Sequence, residues 1–287
     1  MSKINILFIA GALLVLNILC WNQIFVLAEQ NTLKVNFLNV GQGDSALIIT
    51  PENHQILIDG GPNAVVLEKL AKNIPFWDKT LDLVILTHPE SDHMQGLIYA
   101  LNIYKADYIL WTGVKKTAPE YSVWMNVLEK QRKMGAKILI AHAGQEITAG
   151  NVLINTIFPF QSLEGVDMKN SSNDSCIVSK VVYGRDSFLF VGDIDTKAEK
   201  ELVNSGLNIL SNVLKVAHHG SKYSTSDLFL ENVKPEYAVV EVGKNSYGHP
   251  TPEALNRLAN FGIKVLRTDK DDDVEFISDG INITLEK

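Results

Sequence analysis

The sequence has little cysteine and no excess of positive charge. Only Cys20 and Cys176 occur in 287 residues, so the fold must hold without a disulfide framework, and thiolate zinc ligation is excluded. Asp and Glu outnumber Lys and Arg by 33 to 26, which gives a formal net charge of −7 and argues against a broad basic face for nucleic acid. An acidic protein can still bind a phosphodiester where metal ions supply local positive charge.

Three common catalytic or cofactor signatures are also missing or incomplete. No Gly-x-Ser-x-Gly motif occurs, which argues against a serine hydrolase. Both cysteines lie in apolar runs, away from the histidine-rich segments, which argues against a cysteine nucleophile. Gly41-x-Gly43-x-x-Ala46 resembles a dinucleotide fingerprint, but residues 46–50 predict a strand. The pyrophosphate would therefore lack its helix N-terminus.

The first 28 residues predict an export signal. A nearly unbroken apolar run extends from Ile4 to Leu19, and Val26-Leu27-Ala28 resembles a small-residue cleavage site. The segment from Ile4 to Ala28 is also long enough for an uncleaved anchor, since a membrane span needs about 20 residues. We therefore expect residues 1–28 to be a signal peptide or an N-terminal membrane anchor. Residues 33–287 would form one folded domain that is secreted or tethered outside the membrane.

Strands and helices alternate along the rest of the chain. Apolar runs at 81–86, 188–191 and 213–217 predict strands that are buried on both faces. Helical spacing of apolar residues recurs at 63–73 and 120–134. This interleaving is typical of an α/β fold with layered sheets and helices.

Potential metal ligands cluster at the ends of the predicted strands. Four strand ends carry them: His88, Glu90, Asp92 and His93; then Asp193; then His218 and His219; and finally His249. Functional side chains of α/β sheets gather at the carboxyl ends of strands, and imidazoles with carboxylates are ligands for divalent ions. Two such ions can activate a water molecule and stabilise charge on a phosphoryl or carbonyl oxygen. The pattern therefore predicts a hydrolytic metal centre.

Simpler structural roles compete with this interpretation. Asp92 would cap the helix that follows it, and Asp193 would cap the helix near residue 197. One of the two adjacent histidines, His218 or His219, would have a structural role in the core. Capping explains one residue of the first group but neither of its histidines. His54 and His142 have no neighbours of ligand type and are predicted to be ordinary surface residues.

Taken in order, the motifs resemble those of the metallo-β-lactamase superfamily. The shared motifs are Val40-Gly-Gln-Gly-Asp-Ser, Leu57-Ile-Asp59-Gly-Gly, Thr87-His88-Pro-Glu90-Ser-Asp92-His93 and Phe190-Val-Gly-Asp193. Two later motifs, Lys215-Val-Ala-His218-His219-Gly-Ser and Asn245-Ser-Tyr-Gly-His249-Pro, narrow the resemblance. With them the chain is similar to the extracellular hydrolase domain of ComEC-type competence proteins and to stand-alone relatives of that domain.

The resemblance implies a four-layer αββα sandwich with two divalent ions in a cleft between the sheets. It assigns the metal ligands as His88, Glu90, Asp92, His93, the bridging Asp193, and His218 in the last ligand position. We expect His219 and His249 near the scissile group, as proton donor or phosphate contact, with Asp92 also catalytic. We expect the substrate contacts to be Asn173, Ser221 and Asp59.

Two departures from the superfamily pattern bear on the choice of metal. Glu90 stands where a second histidine is expected, and Asn173-Asp174-Ser175 stands where a third-motif histidine is expected. Both changes replace nitrogen with oxygen around His88, which favours manganese or magnesium over zinc at that position. We expect two divalent ions, manganese or zinc, because imidazole ligands are also present. The set formed by Asp92, His93, Asp193 and His218 is complete, so a one-metal site stays an alternative.

The motif set leaves several functions open. We expect an exported metal-dependent phosphodiesterase or nuclease that acts on DNA, with single-stranded DNA or another phosphodiester as its partner. One alternative is the same site acting on a choline-phosphate ester, a nucleotide or a lactam. Another is a non-catalytic binding module, against which the intact ligand set argues.

Overall fold

The computed structural model describes residues 9–21, 31–168 and 172–286. Residues 9–21 are helical, and their side chains are exposed. Among the described residues, no helix combines the length and apolarity needed to cross a membrane. The predicted cleavage motif at Val26-Leu27-Ala28 lies outside the described residues, so the choice between signal peptide and anchor stays a prediction.

The described residues contain fifteen strands, which form two sheets. The first sheet has eight strands in the order β15-β14-β1-β2-β3-β4-β5-β6. Its strands are β1 (Leu33–Phe37), β2 (Ala46–Ile49), β3 (Gln55–Ile58), β4 (Thr80–Ile85), β5 (Lys105–Trp111), β6 (Lys137–Ile140), β14 (Val274–Ser278) and β15 (Ile283–Glu286). The strands from β3 to β6 pair in parallel, and the others pair antiparallel. The loops that follow the parallel strands therefore open at one edge of the sheet.

The second sheet repeats this arrangement with seven strands in the order β13-β12-β11-β10-β9-β8-β7. Its strands are β7 (Gln145–Ala149), β8 (Val152–Phe158), β9 (Val178–Tyr183), β10 (Asp186–Phe190), β11 (Val213–Lys215), β12 (Tyr237–Val240) and β13 (Lys264–Arg267). The strands from β10 to β13 pair in parallel. The loops after the carboxyl ends of β10 and β11 carry the predicted site residues Asp193, His218 and His219.

Helices cover the outer face of each sheet. They are α1 (Val65–Asn73), α2 (Ser91–Ile103), α3 (Pro119–Lys133), α4 (Thr196–Asn204), α5 (Asp227–Val233), α6 (Pro252–Asn260) and the short α7 (Thr268–Asp271). One apolar cluster joins α1, α2 and α3 to the first sheet, and another joins α4, α5 and α6 to the second. Each amphipathic helix thus buries its apolar stripe against a sheet.

A third apolar cluster fills the space between the two sheets. Phe37 of the first sheet stacks on Phe190 of the second with ring centroids 5.5 Å apart, and Phe188 meets Phe276 edge-on at 6.1 Å. Each buried aromatic side chain stabilises such a core by roughly 1.5–3 kcal/mol. The layers are therefore helix, sheet, sheet and helix, and the predicted αββα fold is confirmed.

A close backbone contact brings the first group of ligands to its position. The Gly60 N–H donates to the His93 carbonyl at 2.8 Å, and the Gly96 N–H donates to the Gly61 carbonyl at 2.8 Å. A Cβ atom on Gly96 would lie 1.7 Å from the Gly60 carbonyl oxygen. Only glycine at this position lets α2 pack directly on the loop after β3. This packing places Asp59 beneath His93.

Candidate metal centre

Three buried imidazoles have Nε2 atoms without a hydrogen-bond partner among the described residues, and two of these atoms lie near the same carboxylate. The Nε2 atoms of His88, His93 and His219 are buried and hydrogen-bond to no other described residue. The Nε2 atoms of His93 and His219 each lie 3.5 Å from Asp193 Oδ2, and His219 Nε2 lies 3.3 Å from Asp92 Oδ2. Buried polar atoms without partners are costly. A divalent cation among these nitrogen and oxygen atoms would satisfy them.

The Nδ1 atoms of two of these imidazoles are held from behind. His93 Nδ1 lies 2.8 Å from Asp59 Oδ2, and Asp59 in turn accepts hydrogen bonds from the Thr87 N–H at 2.8 Å and the Thr87 hydroxyl at 2.6 Å. His219 Nδ1 lies 2.9 Å from the Glu241 carbonyl oxygen. An Nδ1–H that donates to an oxygen leaves Nε2 as the free lone pair, which is how metal-binding histidines are oriented. The residues present therefore fit a metal ion.

Asp44 lies on the Nδ1 side of the imidazoles, among the buried groups that hold the ligands from behind. We call these groups the supporting layer. One oxygen atom of Asp44 lies within 4.8 Å of ligand atoms of His93, Asp193 and His219. Its nearest contacts, however, are His219 Nδ1 at 3.1 Å and the ammonium of Lys215, with which it forms an ion pair. We therefore assign the ligand positions to Asp92, His93, Asp193 and His219, and assign Asp44 to charge balance beneath them.

The carboxylates around the imidazoles create a negative potential. Burial alone would lower the pKa of His219, but Asp193 and Asp44 outweigh it and raise that pKa to about 10. Burial would likewise lower the pKa of His93, and the same two carboxylates hold that pKa well above its usual value. A site that favours protonated imidazoles also favours a cation, and a metal ion competes with those protons for the same atoms.

His88 differs from the other two buried imidazoles. Its ring centroid lies 4.2 Å from that of His93. Burial and the charge of His93 lower the pKa of His88 to about 3, which keeps its Nε2 available as a lone pair. The charges of Asp193 and Asp92 act on His88 in the opposite direction, so both carboxylates lie near its ring.

Glu90 is engaged elsewhere. One carboxylate oxygen accepts hydrogen bonds from the Ser172 hydroxyl at 2.6 Å and the Ser172 N–H at 3.0 Å, and the other oxygen forms an ion pair with Lys116. Burial would raise the pKa of Glu90, but these contacts outweigh it and lower that pKa. In this structure, Glu90 therefore anchors two neighbouring loops and is not turned toward the imidazole cluster, where we expected a ligand.

The geometry favours His219 for the last ligand position, which the family resemblance assigns to His218. His219 is 2% exposed, whereas the His218 side chain is 34% exposed, with Nε2 3.8 Å from Asp193 Oδ2. Both residues have a left-handed backbone with φ of 51°, which is uncommon outside glycine and is found where function requires it. This backbone turns one imidazole inward and the other toward the mouth of the cleft.

Two other residues at the mouth are brought together with His218. The His218 and His249 ring centroids are 5.5 Å apart, and Asn173 Nδ2 lies 3.5 Å from His218 Nδ1. Burial, followed by the charges of His218 and His219, lowers the pKa of His249. The mouth therefore carries two imidazoles and an amide, which are polar groups able to contact a substrate.

Two predicted substrate contacts lie below the accessible surface instead. Ser221 is 2% exposed, and its hydroxyl accepts a hydrogen bond from the Tyr223 N–H at 3.3 Å. Asp59 is 1% exposed and has both oxygens engaged by Thr87 and His93. A substrate cannot reach either side chain, so we reassign Ser221 to shaping its loop and Asp59 to orienting His93.

Neither Asp92 nor Asp193 acts as the helix cap that was the alternative to a role in the metal centre. Asp195, not Asp193, caps α4, and its carboxylate accepts from the Lys197 N–H at 2.9 Å and the Ala198 N–H at 3.0 Å. Residue 90 occupies the N-cap position of α2 without a side-chain hydrogen bond, so Asp92 lies within the first turn. Asp92 and Asp193 are thus not needed to cap these helices.

Cys176 lies closer to the centre than the sequence indicates. Its sulfur accepts a hydrogen bond from the Asp193 N–H at 3.2 Å. Burial, together with the charge of Asp193, raises its pKa well above the usual value. The thiol is therefore a packing group beneath Asp193, and its protonated state agrees with the absence of a cysteine nucleophile.

Sequence reasoning missed three members of the supporting layer, which are Asp44, Lys215 and Glu241. Lys215 donates to the Gly192 carbonyl at 2.9 Å and lies 3.5 Å from Asp193 Oδ1. Burial raises the pKa of Glu241 to about 8, and its carboxylate accepts from the Ser45 N–H at 2.8 Å. Lys215 and Glu241 lie within or directly after apolar strands. A charged residue in such a run signals a buried partner.

The comparisons with known proteins agree with this geometry. Residues 38–243 match the family model of the Metallo-beta-lactamase superfamily, and the chain belongs to that superfamily, whose fold is that of metal-dependent hydrolases. It is similar to ComE operon protein 3 of Bacillus subtilis, with 31% identity over 85% of this chain and 33% of the relative. It is also similar to Competence protein ComA of Neisseria gonorrhoeae, with 32% identity over 86% of this chain and 32% of the relative.

The relationship to competence proteins that the motifs predicted is thereby confirmed. The chain spans about a third of the length of these curated relatives. Among solved structures it resembles YhfI of Bacillus subtilis, with a TM-score of 0.56 and 14% identity over 86% of this chain and 99% of that one. It also resembles Igni18 of Ignicoccus hospitalis, a metallo hydrolase, with a TM-score of 0.53 and 18% identity over 85% of this chain and 98% of that one. These two likenesses show the fold alone.

Proposed function

We propose that the chain is a metal-dependent phosphodiesterase that acts on DNA. The observation that carries the proposal is a centre in which carboxylates accompany the buried imidazoles, with two further imidazoles at its mouth. Ligand sets that mix imidazoles with carboxylates suit zinc and manganese, and a pair of such ions stabilises both the attacking and the leaving oxygen in phosphoryl transfer. Relatives named for competence and, in Haemophilus influenzae, for recombination support DNA as the polymer.

The residues divide the work between an inner and an outer group. Asp92, His93, Asp193 and His219 would hold one divalent ion, and His88 would complete a second site beside Asp193. Bound ions would supply Lewis acidity at the phosphoryl group and a water molecule that is acidic enough to react at neutral pH.

The outer group faces the substrate. The exposed edge of His218 and the half-buried His249 would contact the phosphate and pass a proton to the leaving oxygen. His249 Nδ1 is buried and hydrogen-bonds to no other described residue, so contact with a substrate would be made from the opposite, Nε2 side of the ring. Asp59 and the Glu241 carbonyl hold the ligand imidazoles in one orientation, and the ion positions would therefore be fixed before substrate arrives.

The test compares substrates on one preparation of the full chain. The protein is depleted of metal, reloaded with manganese or zinc, and assayed on single-stranded DNA, bis-p-nitrophenyl phosphate and nitrocefin. We expect cleavage of both phosphodiesters, loss of activity in His93→Ala, and none of that loss in His142→Ala, which alters an exposed histidine. Turnover of nitrocefin alone would contradict the proposal, as would phosphodiester cleavage that survives His93→Ala.

We also propose that the domain is exported, either secreted or anchored by its N-terminus. The exposed apolar side chains of the helix at residues 9–21 support this. An apolar surface of this kind is unfavourable in water and is usually buried against a partner or a membrane. N-terminal sequencing of the mature protein in membrane and medium fractions tests it. Met1 retained in the membrane fraction would indicate an anchor, a start at Glu29 in the medium would indicate cleavage, and a cytoplasmic protein would contradict both.

A further inference from the structure

Two loops at the mouth of the metal centre are packed against each other. Residues 221–226 follow His219, and residues 244–250 follow β12. The Gly220 carbonyl accepts hydrogen bonds from the Thr251 N–H at 2.9 Å and the Thr251 hydroxyl at 3.2 Å. A Cβ atom on Gly220 would lie 2.5 Å from Pro250 Cβ. The two loops therefore form one rim beside the catalytic imidazoles.

Each loop of this rim exposes a tyrosine. Tyr223 is 67% exposed and Tyr247 is 74% exposed. Within the described residues, neither hydroxyl has a hydrogen-bond partner, because only their backbone groups are bonded. Aromatic rings stabilise a fold when they are buried, and these two add little to its stability. Single exposed apolar residues are ordinary, but two aromatic rings on the rim of a polar active site are not explained by packing.

The Tyr247 ring continues a path that begins at the metal centre. His218 contacts Asp193, the His249 ring lies 5.5 Å from the His218 ring, and the Tyr247 ring lies 6.0 Å from the His249 ring at an angle of 34°. A polymer whose phosphodiester sits at the two imidazoles would carry its next base past Tyr247.

Each tyrosine also has an exposed lysine on its loop. The Lys222 ammonium lies 5.1 Å from the centroid of the Tyr223 ring, and Lys244 is exposed three residues before Tyr247. The chain as a whole carries a net charge of −7, so these ammonium groups are local features rather than part of a basic protein. Aromatic rings beside lysines form the usual surface for unpaired nucleic acid.

We propose that Tyr223 and Tyr247 stack on unpaired bases on either side of the scissile phosphodiester, while Lys222 and Lys244 contact the neighbouring phosphates. The inference rests on the proposed function and adds a specificity to it. Bases in a duplex present their faces to one another, so a stacking rim selects single strands. Stacking on one base strengthens binding by a factor of roughly 5 to 150.

The experiment measures binding of the full chain to a fluorescent phosphorothioate oligothymidylate by anisotropy, with a duplex of the same length as competitor. We expect Tyr247→Ala and Tyr223→Ala each to weaken single-strand binding about tenfold, and Tyr247→Trp to restore it. Tyr99→Ala is the matched control, because Tyr99 is 47% exposed on α2 and plays no part in the rim. Melting temperatures measured alongside exclude loss of the fold.

The outcomes separate this inference from the proposed function. Equal affinity for duplex and single strand, no binding of the oligonucleotide, or unchanged affinity in both alanine variants would overturn the stacking rim. If the unmodified protein still cleaves bis-p-nitrophenyl phosphate, the phosphodiesterase proposal survives that result. If the protein binds the oligonucleotide but cleaves neither phosphodiester, the rim survives and the proposed function fails.

Discussion

Replacing Lys215 with methionine removes the fixed cation beneath the metal centre. The Lys215 side chain is 2% exposed, forms an ion pair with Asp44, and lies 3.5 Å from Asp193 Oδ1. Burial would lower its pKa, but Asp44, Asp193 and Glu241 outweigh burial and raise it. Methionine keeps most of the length and the apolar stem, so the substitution chiefly removes the charge and its hydrogen bonds.

The magnitude follows from the partners left behind. Removing one partner of a buried ion pair costs about 3–5 kcal/mol, because the other charge stays buried without compensation. For a domain of this size, each 1 kcal/mol shifts the melting temperature by about 2–4 °C. We therefore expect Lys215→Met to lower the melting temperature by about 6–20 °C. Bound divalent metal should reduce the difference in melting temperature between Lys215→Met and the unmodified protein, because a cation beside Asp193 replaces part of the lost positive charge.

Lys180 offers a matched control. It is also buried, at 8% exposure, but within the described part of the chain its ammonium donates only to the Asn208 carbonyl at 3.1 Å. Lys180→Met should therefore cost no more than about 0.5–1.5 kcal/mol, the usual contribution of one hydrogen bond. Scanning calorimetry of both variants, with and without manganese, makes the comparison.

A double variant keeps the prediction open to refutation if Lys215→Met does not fold. Asp44→Asn together with Lys215→Met removes both partners of the ion pair, and replacing both is far less destabilising than orphaning one. We expect the double variant to be more stable than Lys215→Met alone. Equal melting temperatures for Lys215→Met and Lys180→Met, or a double variant that is less stable than Lys215→Met, would refute the assignment of Lys215 as the compensating charge.

Three further predictions test the arrangement of the site. His219→Ala should lose bound metal by elemental analysis while His218→Ala retains it, and the reverse result would restore the roles predicted from sequence. Asp59→Asn should weaken metal affinity 10–100-fold by calorimetry, as losses behind a ligand do; unchanged affinity would show that Asp59 does not orient its imidazole. Gly96→Ala should cost at least about 1–3 kcal/mol in urea unfolding because its Cβ meets the Gly60 carbonyl, and native-like stability would contradict this tight approach.

The positions of the ligands along the sequence were predictable because they depend on short-range patterns. A buried strand that is closely followed by His88 or by Asp193 is visible as an apolar run followed by polar residues. Parallel pairing then brings such ends to one edge of the sheet, whatever the remaining sequence. The same interleaving of strands and helices predicts a layered α/β fold, whereas the four-layer αββα arrangement was implied by the family resemblance.

The choice between His218 and His219 was not predictable in this way. Sequence motifs place both residues at the same strand end, and the difference between them is a matter of backbone direction. Two successive residues with φ of 51° turn one imidazole inward, and that conformation is held by contacts such as the one between Gly220 and Pro250. No local preference of histidine specifies it.

Glu90 shows the same limit for a single side chain. Its place in the motif predicts a ligand, and its chemistry permits one. Its actual partners, Lys116 and Ser172, lie on segments that only folding brings near it. Pairings over such sequence separations carry no signature in the pattern of one chain.

The supporting layer explains why folding and metal binding should be coupled in this protein. Carboxylates from Asp44, Asp59, Asp193 and Glu241 are all buried in or beneath the centre, and Lys215 is the fixed cation that they surround. The remaining positive charge must come from protonated imidazoles or from metal ions, and both compete for the same Nε2 atoms. A chelator should therefore lower stability most where imidazoles are neutral, above the pKa of about 10 of His219, and less at lower pH, where protons substitute for the ion.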